Sequence, residues 1–180
     1  MSETVEQHRS GAPRDLILGV LTVSDTRTPE TDESGRLIVE LSEAAGFRVA
    51  VRTIVPDEPV RMRTLLGEWV ARGDLHAILV TGGTGISPRD RTHETVSALL
   101  TRPLPGFGEL FRMLSFAEIG AAAMLSRAVG GLIGELAVFV MPGSRAAVRL
   151  AMERLIVPEL PHVVREARKR APVSGPDHVQ

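Results

Sequence analysis

The sequence predicts an α/β domain of three layers, a mainly parallel sheet covered by helices on both faces. Three observations carry this. Leu16–Val23 is an unbroken apolar run, as expected of a strand buried on both sides. Further apolar strands, His76–Val80 and Leu136–Met141, alternate with amphipathic helical stretches, the pattern of strand–helix–strand units. A glycine-rich turn, Thr81-Gly82-Gly83-Thr84-Gly85, follows the middle strand directly, and such sheets bind ligands at the carboxyl ends of their strands.

In order along the chain, residues 1–14 are polar and read as a flexible tail. The domain spans 15–170. After Leu16–Val23 comes a polar loop, then a helix over Gly35–Ala45 with Leu37, Ile38 and Leu41 at helical spacing, stopped by Gly46. Phe47–Val55 alternates as a strand, and Pro56-Asp57-Glu58-Pro59 breaks the backbone. Val60–Ala71 is helical, with Met62, Leu65, Leu66, Trp69 and Val70 as its buried stripe. Beyond the glycine turn, Thr92–Leu100 is a short helix, Pro103–Gly106 a turn and Phe107–Ile119 a second amphipathic helix. Leu125–Ile133 is extended. Pro142-Gly143 turns the last strand into a helix over Ser144–Leu155, which Pro158 and Pro161 interrupt before a final helix to Lys169. Residues 171–180 read as a second flexible tail.

Composition narrows the chemistry. The length of 180 residues suits one domain. A net charge of −1 supplies no field for nucleic acid or anionic membrane, and 3% aromatic residues supply no base-stacking platform. No cysteine is present, which removes disulfides, thiolate catalysis and Cys-ligated metal. No apolar run approaches the roughly 20 residues of a membrane span, and the expected location is cytoplasmic. Lys169 is the only lysine, so Schiff-base chemistry is not expected.

Several residues at strand ends are site candidates. Glycines 82, 83 and 85 permit consecutive N–H groups to converge on an anion. Thr84 can add a hydroxyl, and Asp90 can ligate Mg²⁺ beside a phosphate. The plainer reading is a tight strand-to-helix turn; neither a Walker loop nor a dinucleotide fingerprint is present. Asp57 and Glu58 end the second strand as metal ligand or base, or as a solvated helix cap. Ser126, next to Arg127 after an apolar run, is a ligand contact through its hydroxyl or an ordinary core serine. Pro142, Gly143 and Ser144 open a helix N-terminus suited to an anion, or Ser144 simply caps it. Ser24-Asp25 and Asp32 read as turn and cap residues. His93-Glu94 lacks the second histidine of a zinc motif.

Taken together, these segments resemble the molybdopterin adenylyltransferase family of molybdenum cofactor biosynthesis, the MogA/MoaB group. The matching motifs are Val23-Ser24-Asp25, Val55-Pro56-Asp57-Glu58, Thr81-Gly-Gly-Thr-Gly85 through Pro88-Arg89-Asp90 with Thr92, Pro105-Gly106-Phe107, Leu125-Ser126-Arg127 and Met141-Pro142-Gly143, spread over about residues 16–168. Phe111–Gly120 and Met141–Ser144 look more like the MoaB branch.

The resemblance implies an α/β/α fold, a homotrimer or a hexamer of two trimers, and possible contact with other cofactor-biosynthesis proteins. The implied reaction joins molybdopterin and Mg-ATP to give adenylylated molybdopterin and pyrophosphate. It places catalysis and Mg²⁺ on Asp57 and Asp90. It assigns the substrate pocket to Gly82, Gly83, Thr84, Gly85, Ser126, Pro142, Gly143 and Ser144. Some MoaB proteins lack one or both aspartates; this chain keeps both. The alternative is a non-catalytic molybdopterin-binding accessory or scaffold protein of the same fold.

Overall fold

The computed structural model describes residues 15–169. The tails expected over 1–14 and 171–180, with residue 170, lie outside the described residues. Six strands are present: β1 (Ile17–Val23), β2 (Arg48–Val55), β3 (Ala77–Thr81), β4 (Arg102–Pro103), β5 (Val129–Ile133) and β6 (Leu136–Met141). They form one sheet in the order β2-β1-β3-β6-β5-β4. β2, β1, β3 and β6 run parallel, whereas β5 and β4 are antiparallel additions at one edge. The mainly parallel sheet read from the sequence is therefore present, with an antiparallel margin.

The helices are α1 (Glu33–Ala44), α2 (Pro59–Arg72), α3 (Thr92–Ser97), α4 (Pro105–Ile119), α5 (Arg145–Ala151) and α6 (Val157–Ala167). They divide between the two faces. One apolar layer joins Leu18, Val20, Leu79 and Met141 of the sheet to Leu37 and Ile38 of α1, Phe107 and Phe111 of α4, and Val148 and Leu160 of α5 and α6. The other joins Leu21, Ile78, Val80 and Val138 to Met62, Leu66 and Trp69 of α2 and Val96 of α3. Alternate residues of the central strands thus feed opposite cores, which is why β1, β3 and β6 are apolar at nearly every position. Each fully buried Leu, Ile or Phe contributes about 1.5–3 kcal/mol.

The structure amends the sequence reading in four places. Val70 is 37% exposed: α2 buries Met62, Leu66 and Trp69, and Val70 turns past the edge of that stripe. Leu99 and Leu100 lie beyond α3, because the chain must bend to pair Arg102 and Pro103 with β5. Pro103–Gly106 is not a simple turn: β4 ends at Pro103, and α4 begins at Pro105, where a missing N–H costs nothing. Leu125–Ile133 is extended only from Val129, after a 3₁₀ helix over Gly120–Leu125.

The C-terminal helices are also continuous where prolines were expected to interrupt them. A π turn over Met152–Ile156 links α5 to α6, and the Val157 N–H donates to the Met152 carbonyl. That shift of register comes just before Pro158, which then stands at a first-turn position of α6. Pro161 lies inside α6, and burial of Leu160 and Val164 around it holds the helix in place. Among the described residues no helix is long and apolar enough to cross a membrane.

Candidate functional site

Four strands end at one rim. β1 delivers Ser24-Asp25, β2 delivers Pro56-Asp57, β3 delivers the glycine turn and β6 delivers Pro142-Gly143. β3 lies between β1 and β6, so the glycine turn sits where the chain's crossovers diverge, the usual ligand position of such sheets.

The turn's conformation requires glycine at two positions. Gly82 has φ 99°, and a Cβ there would meet the Val23 carbonyl oxygen at 2.2 Å. Gly83 has φ 61°, and a Cβ would meet Thr92 Oγ1 at 2.0 Å and Asp57 Oδ2 at 2.2 Å. Backbone bonds fix the turn at both ends: Gly82 N–H donates to the Met141 carbonyl (3.2 Å), and Thr92 N–H donates to the Gly83 carbonyl (3.1 Å). Gly143 packs directly on Gly82, whose Cα would lie 3.3 Å from a Gly143 Cβ. Among the described residues, the N–H groups of Gly83, Thr84 and Gly85 meet no protein acceptor. Unpaired donors grouped this way form an anion-binding concavity.

Two carboxylates flank that concavity. Asp57 is buried, with 7% exposure. It does not cap α2; the residue in the cap position is Glu58, whose side chain makes no cap bond and instead pairs with Arg61. Asp57 Oδ1 accepts the Arg91 N–H (3.1 Å), and its own N–H donates to Asp25 Oδ1 (3.0 Å). Burial pushes the Asp57 carboxyl above its usual range. The Arg91 N–H opposes this, the charges of Asp90 and Asp25 add to it, and Arg89 offsets part of it. Asp90 is half-buried, and its Oδ2 accepts the Ser87 N–H (3.0 Å). It leans over Gly85, where a Cβ would meet Asp90 Oδ2 at 2.6 Å. The two aspartates named in the sequence are thus brought together over the glycine turn.

The remaining candidates separate. Ser126 is half-buried at the end of the 3₁₀ helix, immediately before Arg127. Ser144 caps α5 by accepting the Ala147 N–H (3.2 Å), the plainer of its two readings. Pro142 and Gly143 approach the turn through their backbones: the Pro142 carbonyl accepts from Thr81 Oγ1 (3.2 Å). The Ser24 hydroxyl accepts the Thr26 and Arg27 N–H groups, a local turn. His93 Nδ1 faces the Arg127 carbonyl at 2.7 Å, so it must carry the proton, and that nitrogen is committed to structure. Arg89 is paired with Asp25 (2.7 Å), whose carboxyl is held low first by that bond and then by the Asp57 N–H.

Three features escape a reading of the sequence. Asp32 reads as a helix cap and is one, accepting the Gly35 N–H (2.9 Å). It is also a fully buried hub that accepts Thr22 Oγ1 (2.7 Å), Arg52 Nη2 (2.8 Å) and Arg27 Nη1 (3.3 Å). Arg27 and Ser34 in turn donate to the Gly143 carbonyl at 2.8 and 2.7 Å, tying this hub to the pocket loop. Only the cap has a local signal; Arg52 arrives through strand pairing. Thr92 Oγ1 is buried without a partner. Lastly, a cavity of about 530 Å³ opens beside the ends of β1 and β2, with Asp25, Arg27, Arg52 and Pro56 on its wall.

Comparison with known proteins gives the family. Residues 19–162 match the model described as "Probable molybdopterin binding domain". Molybdenum cofactor biosynthesis protein B of Halalkalibacterium halodurans is 53% identical over 167 residues, covering 92% of this chain and 98% of that protein. The Bacillus subtilis protein of the same name is 49% identical over 167 residues, with 92% and 98% covered. A crystal structure of a molybdenum cofactor biosynthesis protein B superposes with a TM-score of 0.85 at 49% identity, covering 88% of this chain and 99% of that one. The tungsten cofactor synthesizing protein MoaB of Pyrococcus furiosus gives 0.79 at 37% identity, with 88% and 100% covered. The chain therefore belongs to the molybdopterin-binding domain family of molybdenum cofactor biosynthesis proteins, and it resembles the B proteins of that family at about half of its positions.

Proposed function

We propose that this protein acts in molybdenum cofactor biosynthesis by adenylylating molybdopterin with Mg-ATP and releasing pyrophosphate. The observation that carries the reading is the pairing of Asp57 and Asp90 across a turn whose Gly83, Thr84 and Gly85 N–H groups are uncommitted. Free amides suit phosphate oxygens. Paired carboxylates beside them suit a divalent cation that travels with a nucleoside triphosphate.

The donor set fits magnesium. Among the described residues Asp57 Oδ2 and Asp90 Oδ1 accept no hydrogen bond, and both are hard oxygen donors. The mutual repulsion that helps raise Asp57 is relieved by a cation. Fewer than three acidic or imidazole groups converge among the described residues. Asp57 and Asp90 would hold such an ion beside the substrate phosphate. When bound, Mg²⁺ neutralises triphosphate charge.

The chain's own residues hold the reactants in line. The amides of the glycine turn orient a phosphate, and the Asp25–Arg89 pair holds the Asp57 loop through the Asp57 N–H. The cavity with Arg27 and Arg52 on its wall is of a size usual for a nucleotide-sized ligand. A terminal phosphate oxygen of molybdopterin bonds to the α-phosphorus of ATP. The bond from that phosphorus to the bridging oxygen breaks, and pyrophosphate leaves with the electron pair. The nucleophile is already an anion, so positioning and charge neutralisation outweigh base catalysis.

The working unit is proposed to be a homotrimer or a hexamer of two trimers. Supporting it, Leu110, Met113, Phe116 and Ile119 form an exposed apolar row along α4, continued by Met124 and Leu125. Such a contiguous patch on a soluble domain marks an interface. Pyrophosphate release in the presence of molybdopterin and Mg-ATP tests the reaction. Release equal to the molybdopterin supplied is expected. Tight molybdopterin binding with no release would make the protein an accessory binder and overturn the proposal.

A further inference from the structure

We propose that Arg127 is a positioning residue: its guanidinium grips the loop Thr84–Asp90 by three backbone carbonyls and so turns that loop's N–H groups towards the ligand and Asp57. Four of the five N–H groups of the fork are engaged. Nε donates to the Thr84 carbonyl (3.0 Å), and Nη2 donates to the carbonyls of Gly85 and Asp90, the latter at 3.0 Å. Nη1 is taken by Glu94 in the first turn of α3. The backbone of Arg127 is fixed from the same helix, through the His93 Nδ1–H on its carbonyl. The guanidinium is therefore held from α3 on one side and bonded to the loop on the other.

The consequence follows from peptide geometry. No cis peptide occurs among the described residues, and across a trans peptide the C=O of one residue and the N–H of the next point in opposite directions. Drawing the carbonyls of Thr84, Gly85 and Asp90 to one side sends the N–H groups of Gly85, Ile86 and Arg91 to the other. One of these has a visible target: the Arg91 N–H donates to Asp57 Oδ1. The other two meet no protein acceptor among the described residues. Arg127 touches no reacting atom on this account; it aims the groups that do. A lysine could keep the charge and the Glu94 contact, but one ammonium cannot span three carbonyls.

The turnover arm of the test rests on the adenylylation proposed above; the exchange arm does not. Arg127→Ala and Arg127→Lys are compared with the parent by amide hydrogen exchange over Gly83–Arg91 and by pyrophosphate release, each with and without added guanidinium ion. In Arg127→Ala, exchange of bonded amides of this segment, those of Ser87, Asp90 and Arg91, accelerates at least tenfold while β1 and β6 keep their protection. The kcat falls about a hundredfold, the scale of a loop displaced by an ångström, and the KM for molybdopterin changes far less. Guanidinium restores both readouts in part, and lysine does not. Should the alanine variant not fold, the lysine variant carries the same expectation. Unchanged exchange in the loop, or accelerated exchange throughout the sheet without guanidinium rescue, overturns the proposal. A parent enzyme with no turnover but an exchange response confined to Gly83–Arg91 would sink adenylylation and leave the Arg127 assignment standing.

Discussion

Replacing Asp32 by asparagine isolates the buried hub. Asparagine has the same shape and can still accept the Gly35 N–H, so the helix cap survives. What disappears is the charge facing Arg52 at 2.8 Å and Arg27 at 3.3 Å, together with the acceptor at Oδ2, where the amide NH2 meets the Arg52 N–H as donor against donor. Burial raises the Asp32 carboxyl, but bonds from Arg52, the Gly35 N–H and Thr22, with the Arg52 charge, outweigh it and hold the carboxyl below its usual range. Removing one partner of a fully buried pair costs about 3–5 kcal/mol. Here Asp32 is 0% exposed, yet the arginine side chains are 31% and 25% exposed and recover hydration. The expected loss is therefore about 2–3 kcal/mol, or about 5–10 °C in Tm for a domain of this size. Urea unfolding followed by circular dichroism reads this, with parent and variant held at one protein concentration so that any self-association weighs equally on both.

The pH dependence supplies a second readout of the same variant. A carboxyl with a depressed folded pKa stabilises fully above its unfolded value of 3.8 and loses that contribution as pH falls through the folded value. The gap between parent and variant should stay constant from pH 7 to about pH 5 and close below about pH 4. Adding Arg52→Leu to the asparagine variant should recover part of the loss, since the more buried of the two stranded arginines is then gone and Arg27 keeps its bond to the Gly143 carbonyl. A change within about 0.5 kcal/mol, the ordinary range of surface substitutions, would refute the hub as a source of stability.

Further predictions address the site. Asp90→Ala should abolish AMP transfer from ATP while molybdopterin binding survives, read by pyrophosphate release and by fluorescence of the bound pterin. Asp57→Asn should raise Tm at pH 7, because burial and neighbouring acids penalise the carboxylate there; the sign requires the gain to shrink as pH falls towards the unfolded value of 3.8. Gly83→Ala forces a φ of 61° on a Cβ that meets Thr92 and Asp57; stability should drop by about 1–2 kcal/mol from the backbone alone, and turnover should fall with it. Phe116→Glu, at a side chain 64% exposed on α4, should lower the mass found by light scattering to that of a monomer.

The parts of this molecule legible in the sequence are those whose physics is local. β1, β3 and β6 announce themselves because strands buried on both faces are apolar at nearly every position, with Thr22 and Thr81 as the polar exceptions. The glycine turn does so because positive φ selects glycine. Asp57 and Asp90 were legible as motif members, and the structure brings them together. The misjudged elements depend on distant partners. Pro103 joins a strand because Gly131 lies opposite, and the helices pass Pro158 because a π turn resets their register. Arg127 is visible in the sequence only as the neighbour of Ser126; its three carbonyl partners lie about forty residues back, and no spacing rule encodes them. The Asp32 hub was hidden in the same way behind a sufficient local role.

The pairing of β3 with β6 places Ala77 opposite Ala137 and Thr81 opposite Met141. Gly82, at the head of the site, takes its backbone acceptor from Met141. During synthesis the glycine turn therefore leaves the ribosome some sixty residues before the strand that completes it. Contacts of such long range close late and slow folding. Until β6 docks, β3 offers an unpaired apolar edge, the kind of surface that recruits wrong neighbours. Ligand competence and protection from aggregation are thus acquired in one event, the insertion of the last strand into the centre of the sheet.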